Sequence, residues 1–100
     1  MIYITQLIFV KEGKEETFLM FEEFALPLMN KYNGQLLYRI RPGKENFISQ
    51  TKETPYEIHF ISFESEEDLN DFMKDDSRLQ FIHLKNESVK SVLLVKGEIM

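Results

Sequence analysis

Two pairs of ionisable residues stand two positions apart on separate segments of the sequence, a spacing that places each pair on one face of a β-strand. Arg39 and Arg41 form the first pair, and Glu57 and His59 form the second. An arginine beside a histidine can bind a carboxylate or an enolate, and the cation lowers the pKa of the imidazole so that it can move a proton. We therefore take Arg39, Arg41, Glu57 and His59 as candidate ligand-binding residues.

The same four residues also have a purely structural interpretation. Arg41 and Glu57 can form an ion pair between two strands at the rim of a sheet, where such pairs contribute little to stability. Arg39 and His59 can form hydrogen bonds with neighbouring polar groups at a subunit interface. Both interpretations stay open, and the sequence identifies no catalytic residue.

Residues that could hold a metal, a nucleotide or a covalent intermediate lack the spacing that such sites need. The chain has no cysteine, and neither His59 nor His83 belongs to an HxH or HExxH pattern. The acidic residues of segment 64–76 are typical of a solvated helix whose N-terminus favours carboxylates. No catalytic-triad spacing and no glycine-rich phosphate loop is present. We expect neither a metal nor a cofactor.

The candidate residues must be positioned by segments whose apolar spacing predicts alternating strands and helices. Runs of β-branched and aromatic residues predict strands, and apolar residues three and four apart predict helices. Ser65 followed by Asp68 is typical of a helix N-terminus. The predicted segments are strands over Ile2–Val10, Gln35–Arg41, Tyr56–Phe63 and Val89–Lys96, helices over Lys14–Tyr32 and from Ser65, and further helical turns over Asp75–Asn86.

Pro27 interrupts the apolar pattern of the first predicted helix. It lacks the N–H group that would donate to the Glu23 carbonyl, and its ring crowds the preceding turn. We expect a bend over Glu23–Pro27. Gly34 follows at a position where helices commonly end in a left-handed residue.

The second and third predicted strands carry the candidate residues and alternate in polarity. An antiparallel register that pairs polar with polar and apolar with apolar residues is the most consistent one. It opposes Arg41 to Glu57, Arg39 to His59, Tyr38 to Phe60 and Ile40 to Ile58. We expect Tyr38, Ile40, Ile58 and Phe60 to lie under the helices, and the four candidate residues to lie on the other face.

The element order βαββαβ in 100 residues predicts an α+β, ferredoxin-like fold in a single domain over residues 1–100. In this fold an antiparallel four-stranded sheet carries its helices on one face. The first and last strands are apolar on both faces, so the uncovered face needs a partner. We predict a homodimer whose two sheets enclose an α/β barrel with a small-ligand cavity. Either Tyr3 and Thr5 or Ile4 and Gln6 line that cavity.

Charge and composition limit the partners. A net charge of −5 opposes the phosphate backbone, so we expect no nucleic-acid partner. The apolar start lacks a basic leader, and no apolar run approaches the roughly 20 residues of a membrane span. Because there is also no cysteine for disulfides, we expect a cytoplasmic protein without a membrane partner.

Several short motifs resemble a family of short bacterial proteins of unknown function in the dimeric α/β-barrel superfamily. The matching segments are Leu26-Pro27-Leu28, Lys31-Tyr32-Asn33-Gly34-Gln35-Leu36-Leu37-Tyr38-Arg39, Phe63-Glu64-Ser65, Asp76 with Leu79-Gln80, and Val95-Lys96-Gly97. The family often has an arginine where this chain has Lys85. The resemblance implies the fold and the dimer, and it relates the chain distantly to cofactor-independent antibiotic-biosynthesis monooxygenases. Haem-degrading relatives in the superfamily carry a pattern that this chain does not match.

Two functional hypotheses follow. The first is a non-catalytic domain or a domain that binds a small ligand such as a carboxylate. The alternative is a cofactor-independent enzyme, similar to a monooxygenase or an isomerase, that acts on a small enolisable or aromatic carboxylate. A defined cavity beside Arg39 and His59 would distinguish the two.

Overall fold

The computed structural model describes residues 1–49 and 53–99, and these residues form one sheet and one layer of helices. The elements are β1 Ile2–Val10, α1 Glu15–Leu28, β2 Gly34–Ile40, β3 Glu57–Phe63, α2 Glu66–Met73, α3 Asp76–Gln80, α4 Ile82–Ser88 and β4 Val89–Gly97. Two short 3-10 helices span Met29–Tyr32 and Lys44–Asn46. The predicted domain over 1–100 also includes 50–52 and 100, which lie outside the described residues.

The strands form a four-stranded sheet in the order β2-β3-β1-β4. β1 pairs antiparallel with both β3 and β4, and β2 pairs antiparallel with β3. Because each half of the chain crosses over with a helical segment, this order is that of the ferredoxin-like fold. The predicted α+β class and topology are confirmed.

The main core cluster lies between the sheet and the helices. Ile4, Ile61 and Phe63 project from the sheet and are buried against Met29 and Phe72. The rings of Phe63 and Phe72 are 5.6 Å apart between centroids, a distance typical of packed aromatic pairs. The Cα atoms extend only 16 Å along the thinnest axis, as expected for one helix layer on one sheet.

The first helix changes its geometry just after Pro27. α1 is α-helical to Leu28 and continues as the 3-10 helix Met29–Tyr32. Asn33 then takes a left-handed conformation with φ of 57° and ends the helical segment, one residue before Gly34. The bend expected over Glu23–Pro27 stays a prediction.

Two polar caps set the positions of the later helices. The Ser65 hydroxyl accepts a hydrogen bond from the Asp68 backbone N–H at 3.1 Å, as the sequence predicted. The Asp75 carboxylate accepts from the Arg78 backbone N–H at 2.9 Å and also from the Tyr32 hydroxyl. Asp75 therefore fixes the beginning of α3 against the end of the first helical segment. The contacts of Asp75 therefore determine the position of Arg78 in the first turn of α3.

Candidate functional site

The predicted register between β2 and β3 is confirmed for three of its four pairs, and Arg41 of the fourth pair follows the end of β2. Arg39 lies opposite His59, Tyr38 lies opposite Phe60, and Ile40 lies opposite Ile58. A shift in register between Leu36 and Tyr38 marks a β-bulge within β2. The four candidate residues come together at this end of the hairpin.

The predicted assignment of the two sheet faces is wrong. Glu57 and His59 are each only 1% exposed and lie on the helix side, whereas Tyr38 is 66% exposed on the open side. The reason lies in the period of β3, because Glu57 and His59 share a face with Ile61 and Phe63. Those two residues belong to the core under the helices. Glu57 and His59 therefore also face the helices.

Glu57 is the centre of a polar cluster with three donors. Arg39 donates from Nε to Oε1 at 2.8 Å and from Nη2 to Oε2 at 3.2 Å. Arg41 donates from Nε to Oε2 at 3.1 Å, and its guanidinium lies over the Tyr56 ring at 4.8 Å. Burial alone would raise the pKa of Glu57, but hydrogen bonds from Arg39, His59 and Arg41 outweigh it and lower that pKa to about 2. Glu57 is therefore ionised at neutral pH.

The ionised Glu57 fixes the tautomer of His59. Nε2 of His59 lies 2.8 Å from Oε1 of Glu57, and a carboxylate accepts but does not donate, so Nε2 carries the proton. Burial lowers the pKa of His59, against the opposing effect of Glu57. The neutral ring consequently presents an unprotonated Nδ1 to α1. The atom facing Nδ1 is Oε2 of Glu22, at 4.0 Å.

A cavity of about 330 Å³ lies between the sheet and the helices, next to Glu22. Its walls are mainly apolar and include Ile8, Phe18, Phe21, Ala25, Met29 and Phe72. Ile4 and Gln6 of β1 line it, whereas Tyr3 stacks on Phe60 on the open face. Of the two alternatives for β1, Tyr3 and Thr5 are therefore the pair on the face of the predicted barrel. Leu94 of β4 also lines it and is 57% exposed, so the cavity opens toward β4. This space is on the opposite side of the sheet from the predicted barrel interior.

Glu22 is the acid on the cavity wall. It is 8% exposed, and among the described residues its carboxylate has no hydrogen bond and no basic nitrogen closer than Nδ1 of the neutral His59. Burial raises the pKa of Glu22 to about 7, Glu57 adds to the rise, and Arg39, Lys85 and Arg78 oppose it. Glu22 thus exchanges a proton near neutral pH.

Arg78 and Lys85 bring two cations to the same cavity. Arg78 is 6% exposed and its guanidinium lies over the Phe72 ring at 5.2 Å. Its Nη1 donates to the Met73 carbonyl at 3.3 Å, but its buried Nε has no hydrogen-bond partner in the part of the chain that the structure describes. Burial lowers the pKa of Lys85, and Arg78 lowers it further.

Glu22, Arg78 and Lys85 are cavity residues that the sequence did not identify as candidates. A signal existed for Glu22, which lies four residues after Phe18 and three before Ala25, and so on the buried face of α1. Arg78 and Lys85 gave no comparable signal, because their burial depends on how α3 and α4 pack against α1.

The arrangement combines an apolar cavity with an acid that titrates near neutrality and with two cations. Such a site can bind an apolar molecule through one anionic or carbonyl group and can exchange a proton with it. Within residues 1–49 and 53–99, no group of three or more His, Asp or Glu side chains is arranged to hold a metal ion. No helix in these residues is long and apolar enough to cross a bilayer.

Comparison with known proteins shows the fold. The sequence matches no known family profile, and no curated protein matches it. The structure is similar to a protein of unknown function from Rhodopseudomonas palustris, with a TM-score of 0.85, 10% identity, and coverage of 99% of this chain and 82% of that one. It is also similar to a dimeric ferredoxin-like protein of unknown function from Jannaschia sp. CCS1, with a TM-score of 0.71, 14% identity and 98% coverage of both chains.

A third similar structure is an antibiotic biosynthesis monooxygenase, with a TM-score of 0.73, 9% identity, and coverage of 100% of this chain and 99% of that one. These neighbours are the kinds of protein that the sequence resemblance indicated. At such low identities the likeness concerns the fold alone and carries no activity to this chain. The chain has the ferredoxin-like α+β fold shared by these proteins, most of which are of unknown function.

Proposed function

We propose that the protein binds a small, largely apolar molecule with one carboxylate or carbonyl group in the cavity under the helices. The observation that carries the proposal is Arg78, whose buried Nε has no partner in the described residues and which lines this cavity. Leaving a buried donor unpaired is costly, and native proteins rarely do so without a function. Arg78 is thus a cation on the cavity wall whose hydrogen bonds are incomplete, and a ligand oxygen that reaches its guanidinium would complete them.

The charges around the cavity favour an acidic ligand over a basic one. Arg78 and Lys85 face it, and Glu22 is partly protonated at neutral pH because its pKa is about 7. A ligand carboxylate would therefore meet more positive than negative charge. The aromatic rings of Phe18, Phe21 and Phe72 suit a flat apolar body.

The residues first taken as ligand contacts have a supporting role in this proposal. Arg39 and Arg41 hold Glu57, and Glu57 holds His59 behind Glu22. None of these four lines the cavity. They fix the charge and orientation of the group that Glu22 faces.

Binding of naphthalene-2-carboxylate, compared with the neutral 2-naphthamide, tests the proposal by titration calorimetry. We expect the carboxylate to bind more tightly, and we expect Arg78→Met and Lys85→Met each to weaken it by roughly tenfold or more, as for loss of a charged hydrogen bond. Lys74→Met, at an exposed lysine after α2, is the matched control and should not change the affinity. Equal binding of acid and amide would contradict the proposal.

We further propose that a second copy of this chain covers the open face of the sheet. Apolar side chains on that face are more than half exposed, namely Tyr38, Ile40, Leu93 and Val95. The rings of Tyr3 and Tyr38 stack on Phe60 between them. The dimeric ferredoxin-like neighbour supports this arrangement. A cytoplasmic location and a single domain over 1–100 stay predictions from the sequence.

A further inference from the structure

The Glu22 carboxylate has the position of a reactive group. It lies on the wall of the cavity, it is buried, and within residues 1–49 and 53–99 the basic nitrogen nearest to it is Nδ1 of the neutral His59, at 4.0 Å. A glutamate serving only stability would pair directly with Arg78 or Lys85, but neither has a nitrogen within 4.0 Å of its oxygens. The carboxylate is therefore free to contact a bound molecule.

We propose that Glu22 is the proton acceptor for a carbon acid bound in the cavity, so that the protein catalyses the enolisation of an aromatic 2-oxo acid. The inference rests on the proposed function, because the substrate must first bind there. The phenylalanines of the cavity suit the aromatic ring, and Arg78 and Lys85 suit the oxygen atoms.

The step balances without a co-reactant. The C–H bond next to the ketone breaks, its proton passes to an Oε atom of Glu22, and its electron pair forms the C=C bond as the carbonyl electrons move to oxygen. The resulting enolate oxygen lies where Arg78 and Lys85 can stabilise its charge. Return of the proton to that oxygen gives the enol, and return to carbon regenerates the ketone.

His59 is a positioning residue behind this acid. Its Nε2–H is bound to Glu57, so its Nδ1 faces Oε2 of Glu22 at 4.0 Å as an acceptor. When Glu22 becomes protonated, this Nδ1 can accept its O–H after a small movement. His59 thus acts on the protonated form of Glu22, which exists only after the substrate has lost its proton.

The charged groups around Glu22 set the pH at which it acts. They are His59 and Glu57 on β3, Arg39 on β2, Arg78 on α3 and Lys85 on α4. Burial dominates and raises the pKa of Glu22 to about 7. A base must be deprotonated, so the rate should rise with pH through neutrality and level off above it.

Phenylpyruvate in D₂O is the probe, and loss of its CH₂ signal by proton NMR measures exchange above the protein-free rate. We expect the wild type to accelerate exchange and Glu22→Gln to lose roughly 100-fold or more of that acceleration, the usual contribution of a general base. Glu23→Gln, an exposed glutamate next to it on α1, is the matched control and should keep the full rate. His59→Gln should move the midpoint of the pH profile.

Saturation-transfer NMR on the same samples separates this inference from the proposed function. Binding of phenylpyruvate without accelerated exchange would overturn the enolisation and leave the binding proposal intact. Absence of binding would overturn both. Exchange in Glu22→Gln as fast as in the wild type would show that another group takes the proton, and it would overturn the role of Glu22.

Discussion

Nδ1 of His59 lies 4.0 Å from Oε2 of Glu22, and this contact joins the sheet to α1 at the edge of the cavity. Both side chains are at least nine-tenths buried. The imidazole is neutral and lacks a proton on the atom that faces the acid, so it leaves Glu22 without a compensating positive charge. Burial therefore determines the pKa of Glu22 and brings it to about 7.

Stability should fall as the pH rises through neutrality, and Glu22→Gln should remove this effect. The pKa of Glu22 is about 7 in the folded protein against 4.5 in the unfolded chain. The folded state thus binds more protons between these values, and the free energy of unfolding declines as the pH increases across that range. At about pH 8 the variant should exceed the wild type by about 3 kcal/mol, with little difference below the lower pKa.

Urea unfolding of both proteins at several pH values, with Glu23→Gln as the control, measures this difference. The control should follow the wild type at every pH. A constant difference between the wild type and Glu22→Gln from acidic to basic pH would mean that Glu22 titrates normally.

Replacement of His59 should destabilise the protein far more than replacement of His83. His59 is buried and donates to Glu57, whereas His83 is exposed on α4. His59→Ala removes a buried hydrogen bond and leaves a void, which should cost about 1–3 kcal/mol. His83→Ala should cost less than about 0.5 kcal/mol. Chemical unfolding at neutral pH measures both, and equal losses would contradict the buried position of His59.

The open face should mediate a dimer at micromolar concentration. We expect sedimentation velocity to give a dimer for the wild type and a monomer for Leu93→Asp, since a charge in the centre of an apolar interface is strongly unfavourable. Met20→Asp places the same charge on the exposed side of α1 and should leave the dimer unchanged. A wild type that stays monomeric would contradict the proposed interface, which should bury more than about 1,000 Å².

Gly34→Ala should destabilise the fold through a clash with Phe63. A Cβ atom at position 34 would lie 2.5 Å from Cε1 of the Phe63 ring, and this ring is fully buried. The displaced ring should cost about 1–3 kcal/mol. Gly97→Ala is the control, because its Cβ would meet no atom within 4 Å. Thermal unfolding measures the melting temperature of each variant. Similar melting temperatures for the two variants would mean that the Phe63 ring moves aside at little cost, and they would contradict the expected clash.

Local patterns in the sequence were sufficient for the strands and their register. The alternation of polar and apolar residues over β2 and β3 permits only one consistent pairing, and Arg39 indeed lies opposite His59. The helix N-terminus at Ser65 was also predictable, because its cap is made by residues close in sequence.

The faces of the sheet and the cavity residues could not be predicted in the same way. Both faces of this sheet carry apolar residues, so the polarity of four residues does not say which face the helices cover. The buried positions of Glu57 and His59 depend on Ile61 and Phe63, which continue their face into the core. Arg78 enters the cavity because Asp75 fixes α3 against Tyr32, a contact between residues far apart in sequence.

Methyl NMR during titration with naphthalene-2-carboxylate shows which side of the sheet the ligand occupies, because the two sides carry different methyl groups. We expect the chemical-shift changes to cluster on Ile4, Ile8 and Met29, which line the cavity under the helices. Changes confined to Ile40, Ile58 and Leu93 on the open face would place the ligand between two sheets and would contradict binding in that cavity.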